Sequence, residues 1–411
     1  MSRFRLAPVL AFGLVACASP PEVPTGDPVD GGSATGWREI DSPVGQYSFA
    51  PRLTTVDGEL VLSWLEQTHT AGGETHHQLL VSRRDAGRWS RSSWVASGED
   101  FFANWADTPG VATAADGTLI AHWLAKTGAE TYAYSIYLAR SDDGAASWQP
   151  LGPLNDDATP TEHGFVSYVA EGESVRAFWL DGRQMAAGGD MTLRTARIGQ
   201  VPEAGELLDD RVCECCSTAA AMTDEGPVVV FRDRSEGEIR DISIVRRQDD
   251  GWTSSARVAA DDWRIEGCPV NGPAVAAVGR QVAVVWNTAG GSGPRVQIVF
   301  SDAAGASFAP PRTVDGGRPL GRVDLVFDSQ GRAIVSWLEG ADNRAEIRLR
   351  RMSAEGRDGE PIVAARTSPS RASGFPRLAR VDEQVYLAWV DIDGEDSSRV
   401  RLVEIDTTAL N

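Results

Sequence analysis

Residues 51–64 read PRLTTVDGELVLSW, and the same plan returns at 109–123 as PGVATAADGTLIAHW and at 166–179 as VSYVAEGESVRAFW. Each is a short apolar segment, a turn carrying Asp or Gly, and a second apolar segment that closes on tryptophan. A fourth copy, TAAAMTDEGPVVVF at 218–231, puts Phe231 in the tryptophan place, and three more end at Trp286, Trp337 and Trp389. The anchors stand 59, 56, 52, 55, 51 and 52 residues apart. Alternating apolar residues on both sides of a turn make a hairpin, and a unit of this length holds four short strands. Units repeated at such a period bury their faces only against one another. The expected fold is all-β: a β-propeller of seven four-stranded blades, with six blades plus an irregular unit as the alternative.

The fifth copy shows the whole unit. Its strands are expected at Pro273–Val278, Gln281–Trp286, Arg295–Ser301 and Arg312–Asp315. The seventh copy ends after three strands, and Trp37–Val44 is expected to supply the fourth. A ring closed in this way joins the two ends of the chain and leaves no exposed sheet edge. Helical periodicity is absent over any useful length.

Two turns between strands three and four carry a family mark. Ser141-Asp142-Asp143-Gly144-Ala145-Ala146-Ser147-Trp148 resembles the Asp-box of sialidases and related propellers, S-x-D-x-G-x-[ST]-[WF], with Ala145 in the glycine place. Ser301–Phe308 is a second copy, with Ala303 in the aspartate place. The resemblance covers the chain from residue 37 onward and implies a sialidase-like (Asp-box, or BNR-repeat) propeller. Its aspartate satisfies turn donors while the aromatic packs between strands, so it bears on fold more than on activity.

The chain has 411 residues and a formal charge of −19. Nucleic-acid partners need a basic face, and none is expected here. Of 39 basic residues, Lys126 alone is a lysine. The N-terminus carries Arg3 and Arg5, an apolar run from Leu6 to Ala16, and then Cys17. This is a signal peptide over 1–16, too short to span a bilayer. Leu14-Val15-Ala16-Cys17 resembles the lipobox of bacterial lipoproteins, which implies lipidation at Cys17. Ala18, in place of an aspartate, implies the outer membrane, facing the periplasm or the surface. Residues 17–36, rich in proline and glycine, are a tether of roughly 25 Å reach, and 37–411 is the propeller domain.

The loops from strand two to three, and from blade to blade, share one face around the axis, and that face is where function is sought. Cys213, Cys215 and Cys216 precede strand one of blade four, and Cys268 precedes strand one of blade five. Their four sulfurs are expected to meet, as two disulfides, as a copper(I) or zinc site, or as free thiols. The position two after the anchor is acidic in five units, Glu66, Asp181, Asp233, Glu339 and Asp391. These carboxylates are expected at the pore mouth, as a solvated rim or as acid–base groups. His69, His76 and His77 fall together in blade one as an exposed loop or a metal site.

The resemblance implies more for this face. Sialidases hold a substrate carboxylate with three arginines, and Arg52, Arg322 and Arg377 stand at the starts of inner strands. Arg183, Arg232, Arg234 and Asn271 join Arg322 as candidate substrate-binding residues. Asp107, Glu162, His163 and Asp233 are the candidate catalytic residues, placed in blade-entry loops or beside an anchor. The family's Phe/Tyr-Arg-Ile-Pro stretch is only echoed in Phe49-Ala50-Pro51-Arg52. Its late tyrosine nucleophile has no match: Tyr386 lies within a strand, and Tyr132 and Tyr134 lie early, in a loop. Three functions stay open: an exo-acting glycoside hydrolase of sialidase type, a propeller that binds glycan or an envelope protein without turnover, and a cysteine-based metal or redox site.

Overall fold

The computed structural model describes residues 36–69, 72–392 and 397–410. The expected signal peptide, Cys17 and nearly all of the expected tether lie outside the described residues.

Seven antiparallel sheets, each a path of four strands, follow one another along the chain and close into a propeller. The seventh begins with Arg377–Val381, Gln384–Ile392 and Ser398–Asp406 and ends with Trp37–Ile40, which pairs Trp37 with Ile405 and Ile40 with Leu402. The closing strand stops four residues before Val44, and Val44 itself is buried beneath the first blade. In blade five, strand one starts at Ala274, since Pro273 has no N–H to give a ladder. Strand two of that blade extends to Thr288, and strand four shortens to Arg312–Thr313.

The anchors drive the packing. Trp64, Trp179, Phe231, Trp286 and Trp337 are completely buried between neighbouring blades. Each such side chain contributes about 2–3 kcal/mol of apolar burial. Trp123 is half-buried and stacks on Tyr137. Both Asp-box turns form. Asp143 accepts from the Ser147 hydroxyl (2.5 Å), from the Ser147 backbone N–H (2.9 Å) and from Ser141 Oγ (2.8 Å), and these bonds pull its carboxyl down to about 2. Ala145 takes a left-handed φ of 74° where the motif has glycine. In the second turn Ser301 Oγ alone accepts from Ala303 and Gly305, so the turn survives without its aspartate.

A bulge shapes the inner wall. In blades one, three and six one extra residue enters strand one, so that the register slips between Phe49 and Arg52, Gly164 and Ser167, and Gly321 and Asp324. The residue after the first of each pair sits at positive φ: Ala50 at 52°, Phe165 at 55°, Arg322 at 54°. Non-glycine residues adopt this region at a cost, and such bulges re-aim the side chains that follow. Here they bring Arg52, Ser167 and Asp324 to the wall of the axial cavity.

Candidate functional site

The blade-entry loop 101–109 brings Asp107 to the bulge of blade three. Asn104 Oδ1 accepts from the N–H of Ala106 and Asp107, which fixes the loop. Asp107 Oδ1 then accepts from the Phe165 N–H (2.7 Å), and its Oδ2 accepts from the Tyr134 hydroxyl (2.8 Å). The same hydroxyl lies 2.9 Å from Glu162 Oε1. A phenol has one proton and here faces two carboxyl groups, an arrangement that favours a proton on one of the two. Burial raises both acids, Asp107 to about 7 and Glu162 to about 8, and drives the Tyr134 phenol well above its usual range. Asp107 keeps a backbone donor that favours its anion, so Glu162 is the better proton holder. Two of the four expected catalytic residues are thus joined, and Tyr134, the first residue of a strand rather than part of a loop, is what joins them.

His163 and Asp233 are not part of this group. The His163 ring is fully buried at the start of strand one, with Nδ1 facing the carbonyls of Thr161 (3.0 Å) and Tyr134 (3.2 Å) and Nε2 facing Asp157 (3.2 Å). It braces the strand. Asp233 accepts from the Arg234 N–H and from Ser243 Oγ at the base of the blade-four loop.

The axial cavity, of ≈370 Å³, is lined by Arg52, Ser167, Tyr168, Thr218, Asp324 and Arg377. Arg52 passes Gly110, where a Cβ would stand 3.2 Å from its Nε, and donates to the Val166 carbonyl of blade three. Burial and the Arg52 charge bring Arg377 down to about 9. Its Nε and the Tyr168 hydroxyl have no hydrogen-bond partner among the described residues. Burial and then Arg52 push the imidazole of His122, behind the wall, to about 3, so it is neutral. Two guanidinium groups therefore face one carboxylate, Asp324, across a narrow shaft.

The expected three-arginine set does not converge. Arg322 turns away: Nη1 donates to Ser373 Oγ and the Gly374 carbonyl, and the guanidinium lies over the Trp105 ring. The other candidate binding residues are structural. Arg232, 1% exposed, gives all three nitrogens to backbone carbonyls, of Asn271, Arg240 and Asn287, and so rivets blade four to blade five. Arg183 is held by Asp181 and Asp156. Arg234 is held by Glu214, Glu238 and Asp190. Asn271 Oδ1 accepts the Arg322 N–H at the bulge of blade six.

Three of the five carboxylates two after the anchor serve their own tryptophans rather than a rim at the mouth. A strand repeats every two residues, so they share the tryptophan's face. Glu66, Asp181 and Glu339 each accept the indole N–H of their own anchor, at 2.8, 2.9 and 2.6 Å. His69, His76 and His77 lie on paired strands rather than a loop, and consecutive His76 and His77 point to opposite faces. His77 instead joins a groove of ≈790 Å³ over blades seven, one and two, with Phe49, Phe101, Trp105, Asn104 and Lys126.

The four cysteines do meet. Cys213 is bonded to Cys216 and Cys215 to Cys268, tying the entry loops of blades four and five together. With the sulfurs bonded in this way no thiolate remains to hold copper or zinc; in the reduced protein Cys213, Cys215 and Cys216 are close enough to share an ion.

No protein-family model matches the chain, and no curated protein matches it. Solved structures do. The polysaccharide lyase Uly1 superposes with a TM-score of 0.54 at 10% identity, covering 96% of each chain. The α-L-arabinanase of Penicillium chrysogenum, solved with arabinobiose, gives 0.50 at 12%, over 88% of this chain and 94% of that one. The NanB sialidase of Streptococcus pneumoniae gives 0.46 at 13%, over 90% and 70%. The chain is a seven-bladed β-propeller that shares its fold with the lyase Uly1 and the Penicillium arabinanase at low identity.

Proposed function

We propose that the chain is a glycan-active enzyme that cleaves a terminal acidic sugar, in the manner of an exo-acting sialidase-like hydrolase. The observation that carries the reading is the Tyr134 hydroxyl, within hydrogen-bond distance of two buried carboxyl groups, Asp107 at 2.8 Å and Glu162 at 2.9 Å. At neutral pH Glu162 holds a proton it can deliver to a leaving glycosidic oxygen, the role of a general acid. Asp107, behind Tyr134, can restore it. Arg52 and Arg377 suit a sugar carboxylate, since a forked guanidinium matches its two oxygens. The axial cavity these arginines line has room for about one sugar ring, with Asp107 and Glu162 outside its lining. Two of the propellers described above act on polysaccharides by their names. The test is turnover of a fluorogenic sialoside and of uronate-ended oligosaccharides by the intact protein and by Glu162→Gln. Release that disappears with Glu162 supports the reading, and no release on either substrate class at high enzyme concentration overturns it.

One observation favours a second reading, glycan binding without turnover: Asp107 and Tyr134 are 2% and 0% exposed, out of a ligand's direct reach. Saturable binding of the same sugars without product would establish it. We also propose an envelope setting, supported by the lipobox-like Leu14–Cys17, with a glycan or an envelope protein as partner. Metabolic labelling with a fatty acid, lost in Cys17→Ser, tests the anchor.

A further inference from the structure

We infer that the paired disulfides form a thiol–disulfide exchange centre, in which a dithiol donor reacts at Cys268 and its electrons pass to Cys216. The inference is independent of the glycan reading.

The two bonds differ in access but touch one another. Cys268 is exposed, between exposed Gly267 and half-buried Pro269, while Cys213 and Cys216 are 0% and 1% exposed. Cys215, partner of the exposed cysteine, lies with its Sγ 3.9 Å from the Cys213 Sγ of the buried bond. Exchange proceeds by attack of a thiolate on a disulfide sulfur, so a thiolate released at Cys215 already stands at its next target. The buried Arg240 donates from Nη1 to that same sulfur at 3.5 Å, which places a fixed cation where negative charge passes. Arg240 is oriented by Glu214 (2.7 Å) and Glu238 (2.9 Å), and Glu214 lies within the cysteine loop itself. Two disulfides that served only to join loops would need neither the contact between them nor the buried guanidinium.

The steps balance. One thiolate of the donor attacks Cys268 Sγ, the Cys215–Cys268 bond breaks, and the electron pair leaves on Cys215. The donor's second thiolate closes its own disulfide and frees Cys268, which takes up one of the donor's protons. The Cys215 thiolate attacks Cys213 Sγ, the Cys213–Cys216 bond breaks, and Cys216 leaves and takes the other proton. The donor loses two electrons and two protons. The protein goes from two disulfides to one, Cys213–Cys215, with thiols at Cys216 and Cys268.

The experiment treats the full chain with dithiothreitol, quenches with acid at intervals, alkylates under denaturing conditions and maps each cysteine by tandem mass spectrometry. The expected two-thiol species is labelled at Cys216 and Cys268 and keeps a Cys213–Cys215 bond. In Cys215→Ser the Cys216 label should appear at least tenfold more slowly at equal reductant. Cys268→Ser, which needs no reductant, should divide its bond between Cys213–Cys216 and Cys213–Cys215. The inference is overturned if the two-thiol species is Cys215 and Cys268 with the buried bond intact, or if Cys215→Ser releases Cys216 at the wild-type rate.

Discussion

Two junctions of the propeller are built alike. Asp107-Thr108-Pro109-Gly110 leads into strand one of blade two, and Asn271-Gly272-Pro273-Ala274 leads into strand one of blade five. Each first residue reaches the next blade and accepts the N–H of its left-handed bulge residue, Phe165 at 2.7 Å and Arg322 at 2.8 Å. Each abuts a glycine that leaves it room, Gly164 and Gly321. At blade five a neutral amide does this work. At blade two a carboxyl does it, buried at a cost that raises it to about 7, with a second acid and a phenol attached. The clamp explains why an oxygen acceptor is needed at both places, and Asn271 shows that the acceptor need not ionise. The acid at Asp107, with Glu162, is surplus to the architecture, and that surplus argues for chemistry.

The largest effect is expected at Glu162, which has no counterpart at the second junction. Glu162→Gln keeps a donor toward Tyr134, its NH₂ in place of the acid O–H, and removes the transferable proton. Turnover of a responsive glycan should fall by roughly 10²–10⁴-fold while the thermal midpoint stays close to wild type. In the unaltered protein turnover should decline above about pH 8, where Glu162 loses its proton. A pH–rate profile that is flat through pH 9 removes Glu162 from the chemistry.

Next in size is the glycine beside the acid. A Cβ at Gly164 would stand 1.8 Å from Asp107 Oδ2 and 2.8 Å from its Cγ, far inside contact distance. Gly164→Ala should destabilise by about 1–3 kcal/mol, as overpacking does, measured by urea unfolding.

Exchanging the two clamps sharpens the comparison at a smaller scale. The folded protein holds Asp107 protonated to higher pH than the unfolded chain does, so folding binds protons. The stability this group contributes is complete below about pH 4 and is lost as pH rises through about 7. Asp107→Asn removes that slope and keeps the clamp, so the variant should gain on wild type between pH 5 and 8. Asn271→Asp should introduce a slope of the same sign at blade six. Thermal midpoints measured across this range check both, and an Asp107→Asn variant that is unfolded at every pH would break the equivalence of the junctions.

The ring of blades was legible because its signal is local and repeated: each aromatic anchor and its turn can be read within fifteen residues, seven times over. The site was legible in part. Asp107 and Glu162 stand out as acids in entry loops, but their partner, Tyr134, begins a strand of the blade between them, and no spacing announces that its hydroxyl reaches both. The arginines misled because a guanidinium serves structure as readily as substrate, and all but one of the 39 basic residues are arginine. Arg232, Arg183 and Arg234 reach Asn271, Asp156 and Glu214, which a linear reading does not bring together. Three of the five acids after the anchors, Glu66, Asp181 and Glu339, misled for a simpler reason. The period of two that identifies a strand also places residue i+2 on the tryptophan's own face, against the neighbouring blade, not at the pore.

Those acids supply the smallest and most discriminating contrast, because they are carboxylates used only as acceptors. Glu66 takes both of its donors, the Trp64 indole at 2.8 Å and the Gly45 N–H at 2.6 Å, on the same oxygen. A glutamine in its place can present its carbonyl to both and turn its amide away. Glu339 divides the work: one oxygen accepts from Trp337 (2.6 Å) and Gly316 (3.2 Å), the other from the Arg318 N–H (2.7 Å). An amide there must set its NH₂ against an N–H, and a buried donor without an acceptor costs about 1–3 kcal/mol. Glu66→Gln should therefore lose less than ~1 kcal/mol and Glu339→Gln more, in the same unfolding assay, and neither should change glycan turnover. Equal losses would mean that charge rather than acceptor geometry holds these anchors, and the argument that sets Asp107 apart from the structural acids would lose its baseline.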